Sequence, residues 1–358
     1  MLGLGSSIVL GGPPQGFPVD AFVMKVTTNI SGTNVAGETF DYNNGSPSGV
    51  TNDDQMKLPF NPASGTNHHY VNIDWGDGNT TEDSTTTPTH TYTTAGTYII
   101  TITPGSGYSS WSQYGKHLPM NRWFFNNGGD CLKVVDIMNW GCFATNTTSA
   151  FNGCKNMVIT ATDGPGAGVP DYASKTQKWN TALHMFRQCH KIDPDMTNWD
   201  TQYVTTFNQC FFNCISVTGK GVENFNLSGL NSTNDLRDTF RINWSDPPGQ
   251  FNGNISGWDT STAQSVRRML GEQDNFDQNL ASWDISNITN MTNFMINASG
   301  LSTANYDATL IGWEDGTVQD NISVDFGDSK YTGGGAAAAA RQALIDDHNW
   351  TITDGGTA

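Results

Sequence analysis

The residues that could do chemistry are carboxylates, histidines and cysteines, and their spacing limits what each could serve. Asp74, Asp77 and Asp83, with Glu82 beside them, gather the ligand type that calcium takes. They are the calcium candidates of the chain. Their spacing lacks the alternation of an EF-hand loop, and Asp-Gly turns use the same residues to start tight bends, so turn and cap chemistry competes with calcium here. His68, His69 and His90 have no cysteine or carboxylate at zinc spacing and read as ordinary strand and loop histidines. Phe151-x-x-Cys154, Phe186-x-x-Cys189 and Phe211-x-x-Cys214 share one spacing, which in a stacked chain would align Cys154, Cys189 and Cys214 in a column. Stacked thiols are competent to hold metal, but a buried thiol is also a compact apolar filler, and the filler reading is preferred. With 34 Asp and Glu, a carboxylate pair for glycoside hydrolysis exists on paper almost anywhere and selects nothing. No GxSxG and no strand-to-helix phosphate loop occurs. No catalytic residue and no cofactor is expected.

The elements that would position such residues are β-rich by composition. Of 358 residues, 36% are hydrophobic and 14% charged, so Asn, Thr, Ser and Gly make up much of the rest, which favours strands and turns. The net charge of -17, without any run of Lys or Arg, argues against nucleic acid as a partner. No apolar stretch approaches the ~20 residues of a membrane span, so no membrane insertion is expected. Six cysteines in a chain of this size are expected as free thiols.

From Ala21 to about Pro104, short alternating segments (AFVMKVT, HHYVNIDW, GTYIITIT) are separated by Gly, Asn, Pro and Thr clusters, the pattern of an all-β module. Trp75-Gly76-Asp77-Gly78 and the later His90-Thr91-Tyr92 with Ala95-Gly96-Thr97-Tyr98 carry a resemblance to the polycystic-kidney-disease (PKD) type of immunoglobulin-like domain. That resemblance implies a β-sandwich.

Beyond it the chain repeats. Trp283 is followed by apolar residues at Ile288, Met291, Phe294 and Met295; Trp258 by Ala263, Val266, Met269 and Leu270; Trp199 by Val204, Phe207, Cys210 and Phe211. These offsets predict a short helix in each unit, started by N-cap residues such as Asp259 and Asp284, with a strand-like segment before each Trp. Phe225 opens a further copy with Phe in place of Trp, and degenerate copies lie near Trp140 and Ser174. About six units of ~25 residues result, none able to bury its own apolar face, so neighbours must stack. Trp199, Phe225, Trp258 and Trp283 are the expected ring anchors. The pattern FxxxIxxWDxSxVTxMxxMF, as in FDQNLASWDISNITNMTNFM, resembles the BspA-type surface-protein repeats, relatives of leucine-rich repeats also found in Mycoplasma lipoprotein-like proteins. The resemblance runs from roughly Asn121 to Trp350 and implies a solenoid on a surface or adhesion protein.

The expected fold is therefore mixed β and α/β: an N-terminal immunoglobulin-like β-sandwich, then a leucine-rich-repeat-like solenoid with a C-terminal cap. The expected division is 1–20, an extended docking arm; 21–104, the sandwich; 105–139, a connector and opening cap; 140–300, the repeats; and 301–358, the closing cap. The stretch MLGLGSSIVLGGPPQGFP has no basic n-region and reads poorly as a secretory signal. A virion protein needs no such signal, so the expected function is that of a non-enzymatic phage virion surface protein: a head decoration, fibre or tail adhesin. Its expected partners are other virion proteins, reached through the arm, and a host-surface glycan or protein, with the chain oligomeric or part of a larger assembly. The alternatives are a bacterial cell-surface adhesin and, from another class, a carbohydrate-active enzyme. Exposed loops such as Asn243 to Gly249 are the expected place for recognition.

Overall fold

Strand β1 (Phe22–Thr27) sits at the centre of the front half, and its composition explains why. Phe22, Val23, Met24 and Val26 are all buried, so the strand is apolar on both faces rather than alternating. The structure is a computed structural model and describes residues 17–29, 49–60, 71–105, 123–144, 148–167 and 178–358. Most of the expected arm, together with His68 and His69, lies outside the described residues. Five further strands complete the sheet: β3 (Val71–Asp74), β4 (Thr80–Ser84), β6 (Thr97–Pro104), β7 (Val134–Asn139) and β8 (Val158–Ile159), in the order β4-β3-β6-β1-β7-β8. All pairings are antiparallel except β7 with β8. Strands β2 (Gln55–Lys57) and β5 (Thr89–Thr91) form a separate antiparallel pair, and Met56 and Leu58 share one buried cluster with the β1, β3 and β6 side chains.

One sheet thus crosses from the front segment into the repeats, because β1 pairs with β6 on one edge and with β7 on the other. A fully buried ion pair reinforces the junction: Lys133 Nζ lies 3.4 Å from Asp130 and donates to the carbonyls of Thr51, Asn52 and Gln55. Asp130 in turn accepts from the Thr51 and Lys57 backbone N–H groups. Burial depresses the Lys133 pKa, with the neighbouring Asp130 acting against it.

Among the described residues the repeats hold no α-helix. Between residues 178 and 302 the backbone runs as turns and extended links, with a single isolated parallel bridge, Ser265 to Asn290, and one 3-10 turn at Val222–Asn224. The helical expectation fails for a definite reason: residues four apart adopt left-handed conformations, as at His184 and Gln188, Gln209 and Asn213, Arg268 and Glu272, Asn293 and Asn297. An α-helix tolerates none of these. The backbone N–H groups instead reach the next coil. Val266, Arg268, Leu270 and Glu272 donate to the carbonyls of Asn290, Thr292, Phe294 and Ile296 at 3.0–3.2 Å. Ala182, His184, Phe186 and Gln188 donate likewise to Thr206, Asn208, Cys210 and Phe212. A chain of four-residue turns sends a side chain inward every three or four positions, which imitates helical spacing.

The stack closes in regular structure. Met295 donates to Asp325 of β9 (Ser323–Asp325), which pairs in parallel with β10 (Thr351–Thr353), and α1 (Thr303–Glu314) and α2 (Ala336–His348) precede these two strands. Asp277 fastens this end, accepting from the N–H and hydroxyl of Ser302, the N-cap of α1, and from the Asn305 side chain, at 2.7–2.8 Å. Among the described residues no helix is long and apolar enough to cross a membrane.

Candidate functional site

The two front motifs meet in space. Trp75 is buried and its ring stacks on His90 at 4.9 Å; His90 contacts Tyr92 edge-on at 4.5 Å, and Tyr92 stacks on Tyr98. The Tyr92 hydroxyl donates to the Trp75 carbonyl, which ties the two segments. Asp77 lies 2.8 Å from His90 Nε2 and also accepts from the N–H and side chain of Asn79. Burial tends to raise its pKa, but the bonds from His90 and Asn79 prevail and hold the carboxyl below its ordinary value.

The calcium candidates are drawn into turn chemistry. Asp74 accepts from the Gly76 N–H in a two-residue turn, Asp77 is engaged as above, and Asp83 stands in a left-handed conformation with its N–H bonded to Asn72. Among the described residues no three His, Cys, Asp or Glu side chains form a group able to hold a metal.

In the repeats the ring anchors line up. Trp199, Phe225, Trp258 and Trp283 stack in sequence with centroid separations of 6.3, 6.1 and 6.4 Å and interplanar angles of 15° or less. Each is at most 6% exposed, so they form core rather than a ligand platform. Their indole nitrogens follow one rule: Trp258, Trp283 and Trp313 donate to Val222, Ile255 and Leu280, which stand three positions before the preceding anchor. Trp199 Nε1 has no partner among the described residues. The Asp after each Trp bonds the N–H two residues on, Asp200 to Gln202, Asp259 to Ser261 and Asp284 to Ser286. The expected N-cap bond is formed, but it opens a turn.

The cysteine column has its own chemistry. Cys189 Sγ donates to the Phe151 carbonyl at 3.1 Å and Cys214 Sγ to the Phe186 carbonyl at 2.9 Å. In a later coil Gln273 takes the same place and donates its amide to the Phe240 carbonyl. The column therefore brings a side-chain donor from one coil to a carbonyl of the preceding coil, which at Phe151 and Phe186 also accepts the N–H of Cys154 and Cys189. All six cysteines are buried and unpaired, and burial pushes the Cys131 and Cys142 thiols up to about 12. Thiols so placed are poor nucleophiles at neutral pH.

The loop Asn243 to Gly249 leaves the stack. Its Trp244 is 79% exposed, the one large exposed aromatic among the described residues, and Pro247 and Pro248 beside it are exposed as well. The whole-chain charge conceals a second surface feature, the arginines at Arg187, Arg237, Arg241, Arg267 and Arg268. Their place in the repeat frame is the signal that finds them.

Neither the curated proteins nor the solved structures contain a match to this chain. Residues 180–308, the coils just described, match the family described as "Mycoplasma protein of unknown function, DUF285".

Proposed function

We propose that the chain is a non-enzymatic recognition protein displayed on a virion surface, as a head decoration, fibre or tail adhesin. In this reading the coil stack is a leucine-rich-repeat-like solenoid of BspA type, which the DUF285 match over residues 180–308 supports, and the front segment is a PKD/immunoglobulin-like sandwich. The observation that carries the binding role is Trp244. Every repeat anchor is buried, yet this tryptophan is held out in solvent on the loop that lengthens the step from Phe225 to Trp258. A lone exposed Trp beside two prolines costs solubility and returns nothing to the core, so contact with a partner is its best account.

Six buried, unpaired thiols suit a chain that folds in a reducing compartment, as virion proteins do before lysis. The match to a family described from a cellular bacterium favours the second reading, a cell-surface adhesin. Mass spectrometry of purified particles separates the two, since absence of the chain from particles overturns the virion placement. Recombinant protein is expected to adhere to target cells and Trp244→Ala to lose most of that adhesion; equal adhesion overturns the binding role. The docking arm is proposed on its Gly- and Pro-rich composition alone. Deleting Met1 through Phe17 is expected to leave the fold intact and abolish incorporation into the assembly.

A further inference from the structure

Acidic residues outnumber Lys and Arg by 34 to 17, yet five of the seven arginines fall on one face of adjacent coils. The ladder bonds fix their register. Gln188 donates to the Phe212 carbonyl and Asn213 to the Arg241 carbonyl, which places Arg187, Phe212 and Arg241 in one column across three coils. The Phe212 ring lies between the two guanidiniums, 5.0 Å from Arg187 and 5.6 Å from Arg241. Gln209 donates to the Arg237 carbonyl and Asp238 to the Arg267 carbonyl, so Asn208, Arg237 and Arg267 form a second column, with Gln209, Asp238 and Arg268 beside it. At ~4.8 Å per coil, Arg187 to Arg268 covers about 14 Å of the stack.

Among the described residues a single carboxylate pairs with this group. Asp238 lies 2.9 Å from Arg237 Nε and 3.6 Å from Arg241. The Nε atoms of Arg187, Arg241 and Arg268 are buried with no hydrogen-bond partner among the described residues. Burial, then the charges of Arg268 and Arg237, hold the Arg267 pKa below the usual guanidinium value, and burial with Arg187 and Arg237 does the same to the imidazole of His184 on this face. The ladder does not require Arg267 and Arg268: the coil of Asn208 and Gln209 forms the same bonds with neutral residues at their positions. Like charges held together on partly exposed side chains are the arrangement that binds oxyanions, through the guanidinium edges that reach solvent. The exposed Trp244, three residues beyond Arg241, adds an apolar plane of the kind that packs against a sugar ring.

We infer that Arg187, Arg237, Arg241, Arg267 and Arg268, with Trp244, form a binding face for an acidic polysaccharide, the guanidiniums taking its carboxylate or sulfate groups and the indole a sugar face. The inference rests on the recognition role proposed for the coils but not on a virion location. The net charge of -17 opposes nucleic acid, whose phosphates are denser, while at physiological salt repulsion from distant carboxylates is screened beyond about 8 Å.

The test is calorimetry at physiological salt on the full chain with size-defined heparin oligosaccharides (sulfated), oligogalacturonate (carboxylated) and neutral dextran. Arg267→Asn with Arg268→Gln copies the Asn208–Gln209 coil, including a glutamine where the backbone is left-handed, so the melting temperature should hold. Binding of at least one acidic glycan and not of dextran, weakened tenfold or more in the double variant and in Trp244→Ala, is the expected result, and the two acidic probes tell sulfate from carboxylate. Absence of binding to both, undiminished binding by the double variant, or equal binding of polyglutamate or an oligonucleotide overturns the inference. Cell adhesion lost in Trp244→Ala without glycan binding refutes this ligand and leaves the recognition role standing.

Discussion

At the scale of single residues the repeat depends on side chains that combine apolar area with one well-aimed donor. Trp283 packs parallel to Trp258 at 3° and sends its indole N–H to the Ile255 carbonyl at 2.8 Å. Trp283→Ala removes both and is expected to destabilise by about 3–5 kcal/mol through cavity formation and the lost bond. Trp283→Phe keeps most of the ring, as Phe225 does naturally, and is expected to cost about 0.5–1.5 kcal/mol, mainly by removing one of the two donors to the Ile255 carbonyl, which keeps the Trp258 N–H at 3.2 Å. Urea titration of both variants checks the order; an unchanged midpoint for the alanine would remove the anchor role. The cysteines follow the same logic with smaller side chains, and Gln273 shows that the requirement at their position is a donor to the preceding coil rather than sulfur chemistry.

Among the elements, the first turn of α1 is fastened to the coils by one carboxylate, while Thr309 and Trp313 bond Leu280 further along the helix. Burial alone would raise the Asp277 pKa, but the bonds from Ser302 and Asn305 outweigh it and hold the group below its ordinary value. A carboxyl depressed in the folded state contributes stability that is complete above its unfolded pKa, about 4, and that is lost as pH falls through the folded value. Acid is therefore expected to loosen the closing segment, seen as faster amide exchange in α1 below about pH 4. Asp277→Ala should produce that exchange at neutral pH and cost about 1.5–3 kcal/mol, the range for hydrogen bonds to a charged group. Exchange in α1 that ignores both pH and substitution would show that the helix is held by packing alone.

For the molecule as a whole, the sheet that runs through β1 couples the front segment to the coils, and the Asp130–Lys133 pair stands at the same junction. Calorimetry is expected to show one cooperative transition for both parts. Lys133→Met, which strands Asp130 without its cation, should lower that single transition by about 3–5 kcal/mol in stability. Two resolved transitions, with only the first moved by the substitution, would show that the parts unfold independently.

The sequence by itself determined the period of the repeat, the identity of its buried anchors and the local bond of the Asp after each Trp, though it read that bond as the start of a helix, because burial of large rings and local side-chain to backbone bonds are written in residue type and short spacing. It also carried both front motifs, WGDG and HTY, though not that Asp77 and His90 would meet. Tertiary structure decided the rest. Apolar residues at three- and four-residue spacing are compatible with a helix and with four-residue turns alike, and the choice falls to bonds between coils some 24 to 34 residues apart, which no local pattern encodes. For the same reason the arginines, scattered over 82 positions from Arg187 to Arg268, become one surface only when the ladder brings them into register.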